Sequence, residues 1–422
     1  MFDSQRWLRI IPVALVMYTI SFVNRTSISL ALPKISTDLH LNPQQAGMVA
    51  GVFFWGYLAM QIPGGHLAQH WSARKWIAVC LVAWGVFAGA CGMARNYHQL
   101  LAFRLLLGVA ESGVWPAALV LLSHWFTRAE RARANAYWML CLPGAVVFSS
   151  PAIGWLLGEW NWRMMFLATA ALPFIWLPLW LWVIRDRPGE AAWLPETERV
   201  TLIMTLDQEN AELDHGNVPY LRALLRPQTF LLIAIYFCFS GGQFGLLFWL
   251  PSAMERFKQF SSLAIGTLYL LPFLFGAFCL VFISRHSDKV QERPLHVAGA
   301  MLAGGCCILL AVATLSHSLL LSFAFIVLSG VSAFGPMGPF WTIPTETLPP
   351  RVSGSVMGIV NAVGNLGGFF APLIVGYLNR TTGNFDAGFV FLGALTVAGG
   401  GLALLLKTAR PVPKLEEVRA NP

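Results

Sequence analysis

Leu100-Leu-Ala-Phe-Arg-Leu-Leu-Leu-Gly-Val-Ala-Glu-Ser-Gly-Val-Trp-Pro-Ala-Ala-Leu-Val-Leu-Leu122 holds only two charges, Arg104 and Glu111. As a helix rising about 1.5 Å per residue, a run of this length crosses a bilayer hydrocarbon core of about 30 Å. Similar runs recur along the chain: Ile10 to Leu32, Ala46 to Gly65, Trp76 to Met93, Ala134 to Leu157, Met164 to Ile184, Phe230 to Leu250, Leu263 to Ile283, Val297 to Leu315, Leu319 to Pro344, Gly354 to Tyr377 and Ala387 to Leu406. Of the 422 residues, 56% are hydrophobic and 11% charged, against about 25% charged in a soluble domain. Barrel strands alternate apolar with polar residues and these runs do not. The prediction is an all-α membrane protein with twelve transmembrane helices.

The first run follows a short basic leader without a small-residue cleavage site, so it reads as a retained helix. The formal net charge of +8 is explained by where Lys and Arg sit rather than by nucleic-acid binding. With a cytoplasmic N-terminus, the inside segments hold 20 Lys and Arg and the outside loops 6. That asymmetry predicts a multi-pass protein of the cell inner membrane with both termini cytoplasmic. The seven Cys form no C-x-x-C pair and sit mostly within the runs, where they read as packing residues. No metal or cofactor set is evident, and the expected state is a monomer in the lipid bilayer.

The longest polar stretch, residues 185–226, divides residues 1–184 from residues 227–422, giving two six-helix halves and a cytoplasmic linker. The halves look like repeats of one another. The fifth helix opens with Glu130-Arg131 and reaches Pro151-Ala-Ile-Gly154, while the eleventh opens with Pro350-Arg351 and reaches Pro372-Leu-Ile-Val-Gly376. The loops after the second and eighth helices also correspond, around Arg74-Lys75 and Ser287-Asp288-Lys289.

That basic turn resembles the signature of the major facilitator superfamily, although Gln69 and His70 stand where the superfamily usually has an acid and a base. Within it the chain resembles the anion:cation symporter family, on motifs that run nearly end to end. They include Phe103 to Pro116, Trp125 to Asn135, Asn161-Trp-Arg-Met-Met-Phe166, Pro339-Phe-Trp-Thr-Ile-Pro-Thr345 and Asn361 to Pro372. The resemblance implies a proton-coupled symporter that brings a small organic carboxylate, such as a sugar acid, a tartrate-like acid or an aromatic acid, into the cell. The partners would be that anion, protons and lipid, with the proton as the coupling ion.

Charges inside a membrane helix cost about 2.5 to 3.5 kcal/mol each on insertion scales, so Arg25, Arg104 and Glu111 call for reasons. Tyr18, Ser21, Arg25 and Ser29 make one polar stripe on the first helix. Arg25 is the expected substrate anchor, because a guanidinium fork fits a carboxylate and keeps its charge. Its alternative role is a structural pair with Glu111. Glu111, the sole acid well within a run, is the expected proton carrier. Burial disfavours a charged carboxyl and a neighbouring Arg favours it, so a substrate that takes over the Arg would prompt Glu111 to gain a proton. The family resemblance places its substrate and proton residues at these same two positions. The family usually has an acid where Asn24 stands, so the resemblance here implies fewer protons per substrate, with a different coupling ion or no coupling as the alternatives.

Arg104 either gates or reaches out to the interface, and Asp288 with Lys289 forms the second half's gating turn. Tyr57 and Gln61 on the second helix, Gln243 on the seventh, Trp341 and Thr342 on the tenth, and Asn361 and Asn365 on the eleventh are the remaining expected substrate contacts. For Tyr57, Trp341 and Asn361 the family match supports this reading. Several glycines, Gly364 and Gly368 among them, read as close-packing positions. The rival functions are an exporter or exchanger of a neutral or different solute and, more remotely, a membrane enzyme or sensor. No catalytic motif supports the last.

Overall fold

The computed structural model describes residues 4–213, 226–255, 260–347 and 350–406, and the regular elements among them are all helical. Backbone groups that meet no water must pair within their own segment, and an apolar helix achieves this. Eleven helical stretches among the described residues are long and apolar enough to cross a membrane.

In the first half, α1 (Gln5–Thr26) and α2 (Ile28–Asp38) form one crossing offset at Ser27. The expected second crossing is instead three pieces, α3 (Pro43–Gly51), α4 (Phe53–Ala59) and α5 (Gln61–Leu67). No piece is long enough to cross alone. A π-helical turn at Ala68–Ser72 carries the end of α5 toward α6 (Ala73–Met93), so Gln61–Met93 counts as a single stretch. This is why eleven stretches stand where the sequence suggests twelve crossings. Ser72 is extended there, with φ −172° and ψ 121°, and its hydroxyl caps Lys75 N, which ends one helix and starts the next. Next come α7 (Tyr97–Ser112), α8 (Val114–Trp125), α9 (Arg128–Met139), α10 (Cys141–Glu159) and α11 (Trp162–Val183). Within the predicted linker, α12 (Glu196–Leu213) is described, and residues 214–225 lie outside the described residues, as does the predicted tail from 407.

The second half holds α13 (Pro227–Glu255), α14 (Ser262–Val290), α15 (Arg293–Thr314), α16 (Leu319–Ser329), α17 (Val331–Phe334), α18 (Met337–Thr347), α19 (Pro350–Gly364), α20 (Gly367–Thr382) and α21 (Asp386–Ala403). Its helix starts repeat those of the first half. Asn42 caps α3 and Ser261 caps α14, while Asn96 caps α7 and Ser318 caps α16. Nearly the same length of chain separates the two members of each pair.

The halves meet where α2 lies on α13, α3 on α20 and α10 on α14. These contacts use the ends of the crossings away from Ser4. Gly47 lies so close to the Pro372 carbonyl that a Cβ would overlap it, and a Cβ on Gly266 would sit 2.5 Å from the Ser150 carbonyl. Gly47 and Gly266 are separated by the same interval as the caps Asn42 and Ser261, so one close approach is built twice by the repeat. At the Ser4 end α12 is fastened to the first half. Arg6 pairs with Glu130 at 2.7 Å and Glu198 at 3.1 Å, and Trp193 stacks on Trp125 at 5.2 Å with 8° between planes.

Candidate functional site

The offset between α1 and α2 and the breaks around α4 place Arg25, Tyr57 and Glu111 side by side. Glu111 is fully buried and Arg25 is 4% exposed. Arg25 reaches the same carboxylate oxygen, Oε2 of Glu111, through both Nε and Nη2 at 3.4 Å, and Ser21 Oγ donates to that oxygen at 3.0 Å. The pair is therefore loose rather than a two-oxygen fork. The other carboxylate oxygen, Oε1, is buried without a partner. Aromatic rings close round the guanidinium, with Tyr57 at 4.5 Å, Phe53 at 4.9 Å and Phe22 at 5.5 Å from its carbon. Such faces stabilise a desolvated cation without neutralising it. Tyr18 completes this side, its hydroxyl 3.5 Å from that of Tyr57.

Arg104 does not reach an interface, since it is fully buried. It donates to the carbonyls of Arg25 (3.3 Å), Val49 (3.4 Å) and Ala50 (3.5 Å). These belong to the last turns of α1 and α3, whose carbonyls are freed where the helices break. A cation at a helix C-terminus is electrostatically favourable, so Arg104 holds the two breaks together. Its Nη1 remains buried without a partner. Asn24 donates through Nδ2 to Ile20 O at 3.1 Å and leaves Oδ1 buried and unpartnered.

The second half contributes a facing wall. Asn361 and Asn365 on α19 and its end are joined, with Asn365 Nδ2 donating to Asn361 O at 2.8 Å and to Asn361 Oδ1 at 2.9 Å. Tyr236 on α13 donates to Asn361 Oδ1 at 3.3 Å, and its ring lies 5.0 Å from Trp341 and 5.4 Å from Phe340. Contacts of α19 with α4 and α5 bring the two clusters together. Trp341 Nε1 and Gln61 Nε2 are buried without partners. Thr342 donates back to Pro339 O at 2.7 Å within its own helix.

Gln243 donates to Ala333 O at 2.6 Å. Within a few positions, Gln243 follows Arg25 at the interval by which Ala333 follows Glu111, and both match the interval of the repeat. The ion pair of the first half is thus repeated in the second as a neutral hydrogen bond. Asp288 and Lys289 lie apart from both clusters, at the end of α14. Asp288 pairs with Arg293 at 2.5 Å, and Lys289 is exposed.

Tyr236 is the residue that sequence reading passes over. A tyrosine in an apolar helix resembles core packing. Its signal lies in the repeat, because Tyr236 follows Tyr18 by the same interval that separates Gln243 from Arg25.

The sequence matches the family model of the Major Facilitator Superfamily over residues 14–372. It is 33% identical over 410 residues to a "Putative tartrate transporter" of Agrobacterium vitis, covering 96% of this chain and 94% of the relative. It is also 29% identical over 407 residues to a quinolone resistance transporter of Acinetobacter baumannii, covering 93% and 91%. The fold is similar to the inward open conformation of the xylose transporter XylE from E. coli, with a TM-score of 0.76 over 98% of this chain and 99% of that one. At 14% identity that likeness concerns the fold alone.

Proposed function

The chain belongs to the Major Facilitator Superfamily, and from that premise we propose that it carries a small organic carboxylate into the cell across the inner membrane, in symport with protons. The observation that carries this reading is Arg25, a permanent cation buried between the halves and held only loosely by Glu111 at 3.4 Å. The likeness to the tartrate relative agrees with an acid as cargo. An arriving carboxylate offers Arg25 two oxygens for its fork, a better partner than the single Oε2 contact. Glu111 would then be a buried charge without compensation, and a proton removes that cost. The vacant Oε1 is where the proton binds. Both termini are taken as cytoplasmic and the working unit as a monomer.

The test is uptake of a panel of labelled carboxylates into proteoliposomes under an inward proton gradient. Arg25→Lys keeps the charge but loses the fork, and transport should fall about tenfold to a hundredfold, the worth of one or two charge-assisted hydrogen bonds. Parental transport by the Lys variant would place the anchor elsewhere. A second reading, extrusion of a drug-like solute, is favoured by the likeness to the quinolone resistance transporter. It predicts efflux of norfloxacin from inverted vesicles and no carboxylate uptake in the same preparation.

A further inference from the structure

We propose that Tyr236 is a positioning residue for substrate choice: together with Asn365 it fixes the Asn361 amide so that its Nδ2 is offered to an oxygen of the substrate remote from the carboxylate. This rests on the organic-acid reading and concerns the other end of the same cargo.

Asn361 Oδ1 receives two donors, Tyr236 Oη at 3.3 Å and Asn365 Nδ2 at 2.9 Å. An amide turned the other way would set its NH₂ against the NH₂ of Asn365, donor facing donor. The orientation is therefore dictated by its neighbours, which is how such amides are assigned. With the oxygen end occupied, Nδ2 points away from both partners, and among the described residues it makes no hydrogen bond.

Tyr236 can do this because its ring has one place to go. Phe340 stacks on it at 5.4 Å and 20°, and Trp341 closes it at 5.0 Å. Gly364 supplies the remaining room, since a Cβ there would overlap the ring. The free Nε1 of Trp341 is buried in the same wall. Two donors without protein partners, Asn361 Nδ2 and Trp341 Nε1, thus share a wall, and α19 packs on α4, which carries Tyr57 beside Arg25. An acid with a hydroxyl, carbonyl or second carboxylate at its far end satisfies them, and an acid ending in methylene leaves them unpaired. Unpaired polar groups in a dry site are what make such discrimination large.

The experiment measures dissociation constants of the full-length protein for tartrate and succinate, which differ only in two hydroxyls, and for galactonate and hexanoate. The parent should favour the hydroxylated member of at least one pair by about tenfold or more. Tyr236→Phe keeps the ring and removes only the hydroxyl, and Asn365→Ala removes the other donor. Each should bring that ratio at least halfway toward one on a logarithmic scale, the loss falling on the hydroxylated acid, while the melting temperature of the Phe variant stays within a few degrees of the parent. A merely structural role would weaken both members of a pair together. The inference is overturned if the Phe variant keeps the parental ratio, if both members weaken equally, or if the parent binds acids without regard to hydroxyls. If no carboxylate binds the parent, the organic-acid reading fails and takes this one with it.

Discussion

Glu111 is held by three donors on one oxygen and none on the other, Ser21 at 3.0 Å and two Arg25 nitrogens at 3.4 Å. Replacing it with Gln keeps the shape and removes the charge. Under the proposed mechanism, Glu111→Gln should abolish uphill accumulation driven by a proton gradient and leave exchange between equal pools largely intact. Unchanged gradient-driven accumulation would remove Glu111 from coupling. The same variant has a thermodynamic signature. Breaking a buried pair from one side costs about 3 to 5 kcal/mol because the remaining charge is uncompensated. The variant should melt lower than the parent, and a bound carboxylate, by restoring a counter-charge to Arg25, should raise its melting temperature more than it raises the parent's. Arg25, Arg104 and Glu111 are readable in the sequence because a charge in an apolar run contradicts its surroundings. Tyr236 is not, since its ring satisfies the rule for a core residue and only its hydroxyl has work at the site.

Helix breaks position this site, and the one at Val52 follows from a contact rather than from local sequence. The second crossing parts at Val52 and Met60; Pro63, which has no N–H for the Ala59 carbonyl, accounts for the second break, whereas no proline stands near the first. What makes the first break tolerable is Arg104, far along the chain on α7, which satisfies the carbonyls of Val49 and Ala50. Such a partnership has no trace in periodicity, and so a continuous Ala46 to Gly65 helix is the natural expectation from sequence. The close approaches between halves are more legible, since the Pro and Gly of the repeated motifs mark them. They carry a prediction. A Cβ on Gly47 overlaps the Pro372 carbonyl, which is main chain and cannot turn aside. Gly47→Ala should therefore part α3 from α20 and shift the population toward states open at the end away from Ser4. Spin labels at Gln44 and Arg380, whose side chains meet at 2.9 Å, should show a longer mean distance than in the parent. An unchanged distance distribution would mean that this approach does not hold the two halves closed.

At the scale of the whole molecule the two halves repeat each other in caps and glycines, but the first half's breaks at Ser27, Val52 and Met60 answer to the unbroken α13 and α14, and the charges differ at equivalent sites. Arg25 with Glu111 in the first half answers to Gln243 with Ala333 O in the second. Asn24, buried beside Arg25, adds no titratable group where the resemblance implies an acid. Among the described residues, Glu111 is the one acid that is buried. If that carboxyl carries the coupling, one proton moves with each substrate. With a monoanion the net charge moved is zero, and a membrane potential, worth about 2.3 kcal/mol per 100 mV for each charge that crosses, has nothing to act on. Uptake of a monocarboxylate should then respond to a pH gradient and ignore an imposed potential. A dianion such as fully ionised tartrate would move one net negative charge inward, so an inside-negative potential should slow its uptake. Asn24→Asp, by adding a second proton site, should make monocarboxylate uptake respond to an inside-negative potential. The measurement is uptake into proteoliposomes under a valinomycin-set potassium potential with pH equal on both sides. Strong stimulation of the parent by inside-negative potential, with a monoanion as cargo, would require more than one cation per cycle. The charge asymmetry between the halves would then not set the stoichiometry.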